Sequence, residues 1–368
     1  MRPYQIQNTI LFLTMLSFPE VLAVKKALVW PEIEKYLAGL VRLPSYCQIP
    51  QKYSSLVFFH QKITAEYPRR QGKYLRPTLV LLTAAAMGFP QEKALKTAAA
   101  MQVSEDWLLG HDDVEDNSQE RRGQPTLHRL YGVELAINAG DALHILMWKI
   151  LADNFSLLGQ KKALAIEEEF YQMLSRTALG QTAEIKWARE NRLDLTDEDI
   201  FFILDGKTSY YTIAGPMRLG AILADGSQKQ LVSLYRFGQI LGRAFQIRDD
   251  LLDLTSDFAG LKKQTGNDIY EGKRTIMLAH LWRSAKGRDR QRLLKILGKK
   301  REEKNQEEVV WVIKAMEKYG SLFYGEKLAQ KLAQKAGEFF EENLGFLKKE
   351  PARSQIRAGI DFMVERRY

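Results

Sequence analysis

A single cysteine, Cys47, occurs in a chain of 368 residues. No internal disulfide can form and no cysteines stand at zinc-ligand spacing, which fits a reducing compartment, the cytoplasm by default, and excludes a cysteine-based metal site. Histidine is nearly as scarce: the five present include no HExxH pair, and a lone His111 reads as a hydrogen-bonded side chain rather than a ligand. Linkers rich in Pro, Gly or Ser are missing, as are repeats and low-complexity tracts, so a single domain over residues 1–368 is expected. Strand signals are few, with Asp-Gly pairs of hairpin type at Asp205-Gly206 and Asp225-Gly226. The apolar run over residues 9–24 (TILFLTMLSFPEVLAV) follows Arg2 and imitates a signal-peptide core, but Pro19 and Glu20 interrupt it. It is shorter than the ~20 apolar residues of a spanning helix. Residues 1–30 therefore read as an apolar extension that packs or makes peripheral membrane contact, with no transmembrane span.

Apolar residues make up 45% of the chain and charged residues 27%, the balance of a soluble globular protein with a sizeable core. The net charge of +9 asks for an anionic partner, and its distribution decides which kind. Much of the excess lies in residues 286–304 (KGRDRQRLLKILGKKREEK), where Lys and Arg interleave with Leu, Ile and acids as on a solvated helix face. No zinc-finger or RNP-type motif accompanies it, so no nucleic-acid partner is expected. Helical periodicity dominates elsewhere. Over residues 160–191, Ile166, Phe170, Leu174, Ala178 and Ile185 recur at three-, four- and seven-residue steps, the stripe of a long helix buried on one side. Further apolar segments at 77–87, 98–109, 210–223 and 231–254 are separated by short Gly-, Pro- or Asp-containing breaks. The expected fold is all-α, a single bundle of long antiparallel helices.

The chemistry sits in two acidic motifs. Asp112-Asp113-Val114-Glu115-Asp116 follows an apolar run, so on a continuing helix Asp112 and Asp116 share one face at i, i+4 spacing. If that helix stops soon after, the carboxylates lie at its negative end and favour a bound cation. The segment FQIRDDLLD repeats the arrangement with Asp249, Asp250 and Asp253. One such copy reads as a solvated turn, whereas two copies inside apolar helices point to metal. Magnesium prefers oxygen ligands, keeps waters, and binds through one or two carboxylates plus substrate phosphates. Basic residues flank the motifs at 72–77 (GKYLRP), 121–123 (RRG), 206–208 (GKT) and 271–273 (EGK). The GKT triplet imitates a P-loop ending, but Phe201 stands where that loop needs glycine.

In this order the motifs resemble the polyprenyl synthetase family of trans-prenyl diphosphate synthases, over about residues 50–365. GKYLRP is similar to the family's GGKxxRP, DDVEDNSQERRG to its first aspartate-rich motif with trailing arginines, GKT to its KT motif, FQIRDDLLD to its second aspartate-rich motif and KKQTGNDIYEGK to its closing lysine segment. The resemblance implies the isoprenoid synthase fold, helices around a central cavity, and usually a homodimer. It implies an enzyme that joins isopentenyl diphosphate to an allylic diphosphate through an allylic carbocation, with about three Mg2+ ions bridged by diphosphate.

Residue by residue, the resemblance implies that Asp112, Asp116 and Asp249 bind metal directly, while Asp113, Asp250 and Asp253 hold waters or orient ligands. Arg121, Lys207 and Lys263 would grip the allylic diphosphate. Lys73, Arg76 and Arg122 would hold isopentenyl diphosphate, and Lys273 belongs to the closing substrate-binding segment. Thr208 and Gln246 would lie near the cation, with Gln181 and Glu184 behind them. Trp107 and Leu108, five and four residues before Asp112, would form a floor that stops growth at fifteen or twenty carbons. Three positions depart from the pattern: Gln71 replaces the first glycine of GGK, Ser209 the alanine often following KT, and Glu105 the His or Gln of the isopentenyl pocket. A carboxylate there repels diphosphate unless Arg76 or Arg122 pairs with it. Two other classes remain in view: a terpene cyclase or head-to-head condensing synthase, which would not need GKYLRP, and a non-catalytic subunit of a heteromeric synthase.

Overall fold

Where Pro19 and Glu20 break the N-terminal apolar run, a helix begins. The computed structural model describes residues 16–255 and 265–365; residues 9–15 of that run and Lys263 lie outside the described residues. The Glu20 carboxylate accepts from the Ser17 backbone N–H at 2.8 Å and from its hydroxyl at 2.7 Å. Pro19 takes a first-turn position where a missing N–H costs nothing. Helix α1 (Phe18–Ala38) then buries Phe18, Val21, Leu22, Val29, Ile33 and Leu37. Packing is thus the role of the described part of the apolar extension.

Two compact units are distinguished by their internal contacts. The first comprises Met1–Glu168, Pro216–Gly226 and Leu347–Gln355. It contains α2 (Ser54–Thr64), α3 (Leu75–Ala86), α4 (Gln91–Glu115), a hairpin of β1 (Glu120–Arg121) and β2 (Gln124–Pro125), and α5 (Val133–Ala152). α4 packs along α5, α3 and α1. Its buried Ala98, Ala99 and Ala100 keep its neighbours close, since small side chains reduce the distance between helix axes. By length and composition alone, 133–158 is the one described stretch apolar enough to cross a membrane, yet 44% of its best window is buried inside the fold.

The long helix read over residues 160–191 is α6 (Gln160–Arg189). Its stripe starts as expected with Ile166 and Phe170 but continues through Met173, Thr177 and Gly180, leaving Ala178 exposed. Leu174 and Ile185 are only half-buried. The inward face after Phe170 includes small and polar residues because a backbone approaches it: a Cβ on Gly180 would stand 3.0 Å from the Lys207 nitrogen.

That backbone belongs to the second unit, Glu169–Gly215, Ser227–Phe346 and Ile356–Tyr368. Helix α7 (Asp197–Leu204) runs into a π-helical segment, Asp205–Ala214; α8 (Gly215–Leu223), which follows, belongs from Pro216 to the first unit. The pair Asp205-Gly206 therefore lies within a wide helical winding, not in a turn, whereas Asp225-Gly226 does sit between helices, with Asp225 at φ 57°. Helix α9 (Gln228–Thr255) packs against the π-helical segment. Contact is close because a Cβ on Gly238 would meet that of Ala214 at 2.4 Å, and one on Gly242 would meet the Ser209 Cα at 2.4 Å. π-helical turns are rare and concentrate at functional sites. After α9 come α10 (Asn267–Glu271), α11 (Ile276–Ser284), α12 (Gly287–Leu297), α13 (Gln306–Lys318) and α14 (Ser321–Asn343). The basic stretch 286–304 supplies α12, which buries Leu293, Ile296 and Leu297 and lays Arg290 over the Trp282 ring and Arg292 over that of Trp311. It is the solvated helix face expected of it.

Candidate active site

In the first unit, α4 ends at Glu115 with Asp116 as its C-cap, so the first acidic motif does occupy a helix C-terminus. The Asp116 N–H donates to the Asp112 carbonyl at 2.8 Å. Asp112 and Asp116 are half-buried, while Asp113 is fully buried. Asp113 accepts from the Tyr67 hydroxyl at 2.5 Å and from Arg121 Nε and Nη2 at 3.1 and 2.5 Å. Arg121 and Arg122 lie on the β1–β2 hairpin, whose two central residues, Arg122 and Gly123, have φ of 54° and 75°. That is the geometry of a two-residue type I′ turn. Thus the arginine expected to grip a diphosphate is held by the middle aspartate of the motif. Burial, then the Asp113 charge, pushes the Tyr67 phenol up, which keeps it a donor.

Beneath the hairpin, the GKYLRP segment brings Arg76 and Arg122 together. Gln71, in place of glycine, takes φ 43°, and Tyr74 takes φ 59°; both are left-handed conformations that side chains adopt at a cost. Gly72 has no room for a side chain, since a Cβ there would lie 2.7 Å from Arg122 Nη2. Glu105 ion-pairs with Arg76 at 3.1 Å and with Arg122 at 3.6 Å. Both arginines compensate the anomalous carboxylate. A neighbour the sequence reading missed, Asp106, is buried and binds Arg122 at 2.9 Å. Burial pushes the Asp106 carboxyl up to about 6, opposed by the Arg122 charge. Lys73 is exposed at the rim of this segment.

Trp107 faces α5. Its indole stacks on His144 with centroids 4.1 Å apart and planes 15° from parallel, and meets His111 edge-on. Trp148 Nε1 donates to His144 Nε2 at 2.8 Å, fixing the stack. Leu108 is half-buried one turn before Asp112.

In the second unit the KT motif lies on the π-helical segment. Lys207 Nζ donates to Glu184 Oε2 at 2.5 Å. Burial would raise the Glu184 carboxyl, but Lys207 and then Lys273 hold it below its ordinary value. The Thr208 hydroxyl donates to Gln246 Oε1 at 2.9 Å, and the Gln246 amide donates to Asp250 Oδ1 at 2.8 Å. Thr208 and Gln246, expected beside the reacting carbon, are thereby joined to the second acidic motif. Within that motif Asp249 is exposed and Asp250 buried. Asp253 accepts from the backbone N–H groups of Asn267 and Asp268 at 3.2 and 3.1 Å. Lys273 binds Asp268 at 3.2 Å and Glu271 at 2.7 Å.

Asp268 and Glu271 carry no signal of their own within the closing lysine segment, because the effect of an acid depends on its burial. Burial and then Asp268 push Asp253 up to about 7, and the same two causes hold Asp250 well above its ordinary value. Burial likewise raises Asp268 against the pull of Lys273. Burial and mutual repulsion disfavour the charged forms of these carboxylates, and their oxygens are the donors a hard divalent cation takes. Among the described residues no three carboxylate, imidazole or thiolate groups converge on one point.

The polyprenyl synthetase family model matches residues 59–316. The chain is 34% identical over 297 residues to the short chain isoprenyl diphosphate synthase of Methanothermobacter thermautotrophicus, covering 81% of this chain and 87% of that protein. It superposes on the geranylgeranyl pyrophosphate synthetase of Pyrococcus horikoshii with TM-score 0.79 and 30% identity, over 94% of this chain and 98% of that one. The geranylgeranyl pyrophosphate synthase of Corynebacterium glutamicum, solved with isoprenyl diphosphate and magnesium, superposes with TM-score 0.81 and 25% identity, over 95% and 99% of the two chains. With the family model spanning most of its length and its ordered motifs matching, the chain belongs to the polyprenyl synthetase family.

Proposed function

We propose that this trans-prenyltransferase joins isopentenyl diphosphate to an allylic diphosphate with magnesium and releases a product of fifteen or twenty carbons. The observation that carries the reading is the Thr208–Gln246–Asp250 chain of hydrogen bonds, which ties the residues expected at the developing cation to the second acidic motif. By the family resemblance, Asp112, Asp116 and Asp249 would hold the magnesium, about three ions, and residues 1–368 would act as one functional domain. Bound magnesium supplies the charge that stabilises the departing diphosphate.

The chain's own residues do the rest. Arg121, aimed by Asp113, and Lys207, aimed by Glu184, bind the allylic diphosphate together with Lys263, and Lys273 supports them. Preorganised donors of this kind act where charge develops and need little rearrangement in the transition state. Thr208 and Gln246 place their oxygens beside the allylic carbon, where a partial negative charge favours the cation. Arg76, Arg122 and Lys73 hold isopentenyl diphosphate so that its double bond attacks that carbon. The departed diphosphate then takes the proton, and no side-chain nucleophile is required. Water must be kept out of this site, because it would capture the cation.

Trp107 limits the product because the His144 stack fixes a bulky ring below Asp112. Trp107→Ala should shift products to longer chains by one or more five-carbon units, read by chromatography of dephosphorylated products. The exposed apolar residues of α2 and α5, Leu56, Phe58, Ile137 and Ile145, support a homodimer; from the sequence reading, the proposal includes no nucleic-acid partner and a cytoplasmic location. Incubation with magnesium, labelled isopentenyl diphosphate and a series of allylic primers tests the reaction: elongated prenyl diphosphates are expected. Diphosphate release from the primer alone, with no elongation, would identify a cyclase.

A further inference from the structure

Among the cations expected to bind phosphate, Arg76, Arg121, Arg122 and Lys207 are held by carboxylates, but the arrangements are not equivalent. Asp113 binds Arg121 and Glu184 binds Lys207, each through one short contact. Glu105 differs: its two oxygens are divided between two cations, Oε2 toward Arg76 at 3.1 Å and Oε1 toward Arg122 at 3.6 Å. Arg122 has a separate anchor, since Asp106 binds its Nη1 at 2.9 Å and the Tyr67 carbonyl accepts from the same nitrogen at 2.9 Å. The orientation of Arg122 therefore does not depend on Glu105. A planar anion bridging two guanidinium groups takes the seat that a phosphate oxygen pair would take.

We propose that Glu105 is an internal latch that occupies the phosphate seat between Arg76 and Arg122 and must be displaced for isopentenyl diphosphate to bind. This rests on the assignment of that pocket to isopentenyl diphosphate. The latch lowers the apparent affinity for the second substrate by the fraction of molecules in which Glu105 holds the seat. It also places one negative charge beside the incoming diphosphate, a repulsion that neutralisation removes. Asp106 plays the opposite part: it fixes Arg122 in the binding orientation from behind.

The test compares KM for isopentenyl diphosphate in the wild type, Glu105→Gln and Glu105→Asp. Glutamine keeps the shape and loses the charge, and the predicted KM falls by about tenfold. Aspartate keeps the charge but is one methylene too short to bridge both arginines, so its KM should fall by less. KM for the allylic primer is the internal control and stays within about twofold, because only the second substrate uses this seat. A separate readout needs no turnover: inorganic pyrophosphate should raise the melting temperature of Glu105→Gln more than that of the wild type. An unchanged or higher KM for isopentenyl diphosphate in Glu105→Gln, or an equal pyrophosphate shift, would overturn the latch. Failure of the wild type itself to condense isopentenyl diphosphate with any primer would instead overturn the assignment of the pocket.

Discussion

The two aspartate-rich regions share a sequence pattern but not an electrostatic design. In the first, the buried middle acid, Asp113, is matched by Arg121 and hydrogen-bonded by Tyr67. In the second, the buried middle acid, Asp250, has a neutral amide from Gln246 and stands near Asp249 and Asp268, with Lys273 shared among several acids. The first middle acid faces a cation directly, whereas the second is buried among further acids that raise its carboxyl. The same two letters, DD, thus describe a finished salt bridge in one unit and a crowded, buried group of acids in the other.

The largest effects should come from the leading acids, where the two regions are expected to behave alike. Asp112→Asn and Asp249→Asn should each reduce turnover by about 10³-fold, since each removes charge used in the transition state. Steady-state kinetics at saturating magnesium checks this, and a loss confined to one variant would break the pairing of the regions. The middle acids should then separate them by sign. Asp113→Asn leaves Arg121 largely buried without its counter-charge and should cost about 3 kcal/mol of stability. Asp250→Asn removes one of several crowded acids while its Oδ1 can still accept from Gln246, so the metal-free protein should be as stable as the wild type or more so. Urea titration of both variants reads the difference.

The smallest effect is a pH dependence. Asp253 is pushed up to about 7, so the folded protein binds its proton more tightly than the unfolded chain does. That contribution to stability is present below about pH 4 and is lost as pH rises through about 7. The metal-free melting temperature should therefore drift down between pH 5 and 8, and magnesium with pyrophosphate should flatten the drift. An upward drift would contradict the raised Asp253 carboxyl in the second region.

Much of this was legible in the amino-acid order. Apolar runs ending in DDxxD announced two helices with acids at one end, and α4 and α9 carry them as expected. Glu105 was legible as an anomaly, and so was the need for an arginine to answer it. The π-helical segment was not, because nothing in DGKTSYYTIA distinguishes a wide winding from an ordinary one. Nor were the glycines that pack against it, Gly180, Gly238 and Gly242, distant in sequence, which let neighbouring backbones come close. Asp106 and Asp268 were missed for a related reason: an acid acquires its role from burial, and burial is a property of the folded chain. The stripe of α6 was misread after Phe170 because a periodicity of large apolar residues cannot register an inward face that includes a threonine and a glycine.

The account depends most on the two acidic motifs acting on one diphosphate. A double-mutant cycle on turnover, with Asp112→Asn, Asp249→Asn and the pair combined, measures that dependence directly. Joint action predicts that the double variant is about as slow as the slower single one. Losses that multiply in full would contradict it.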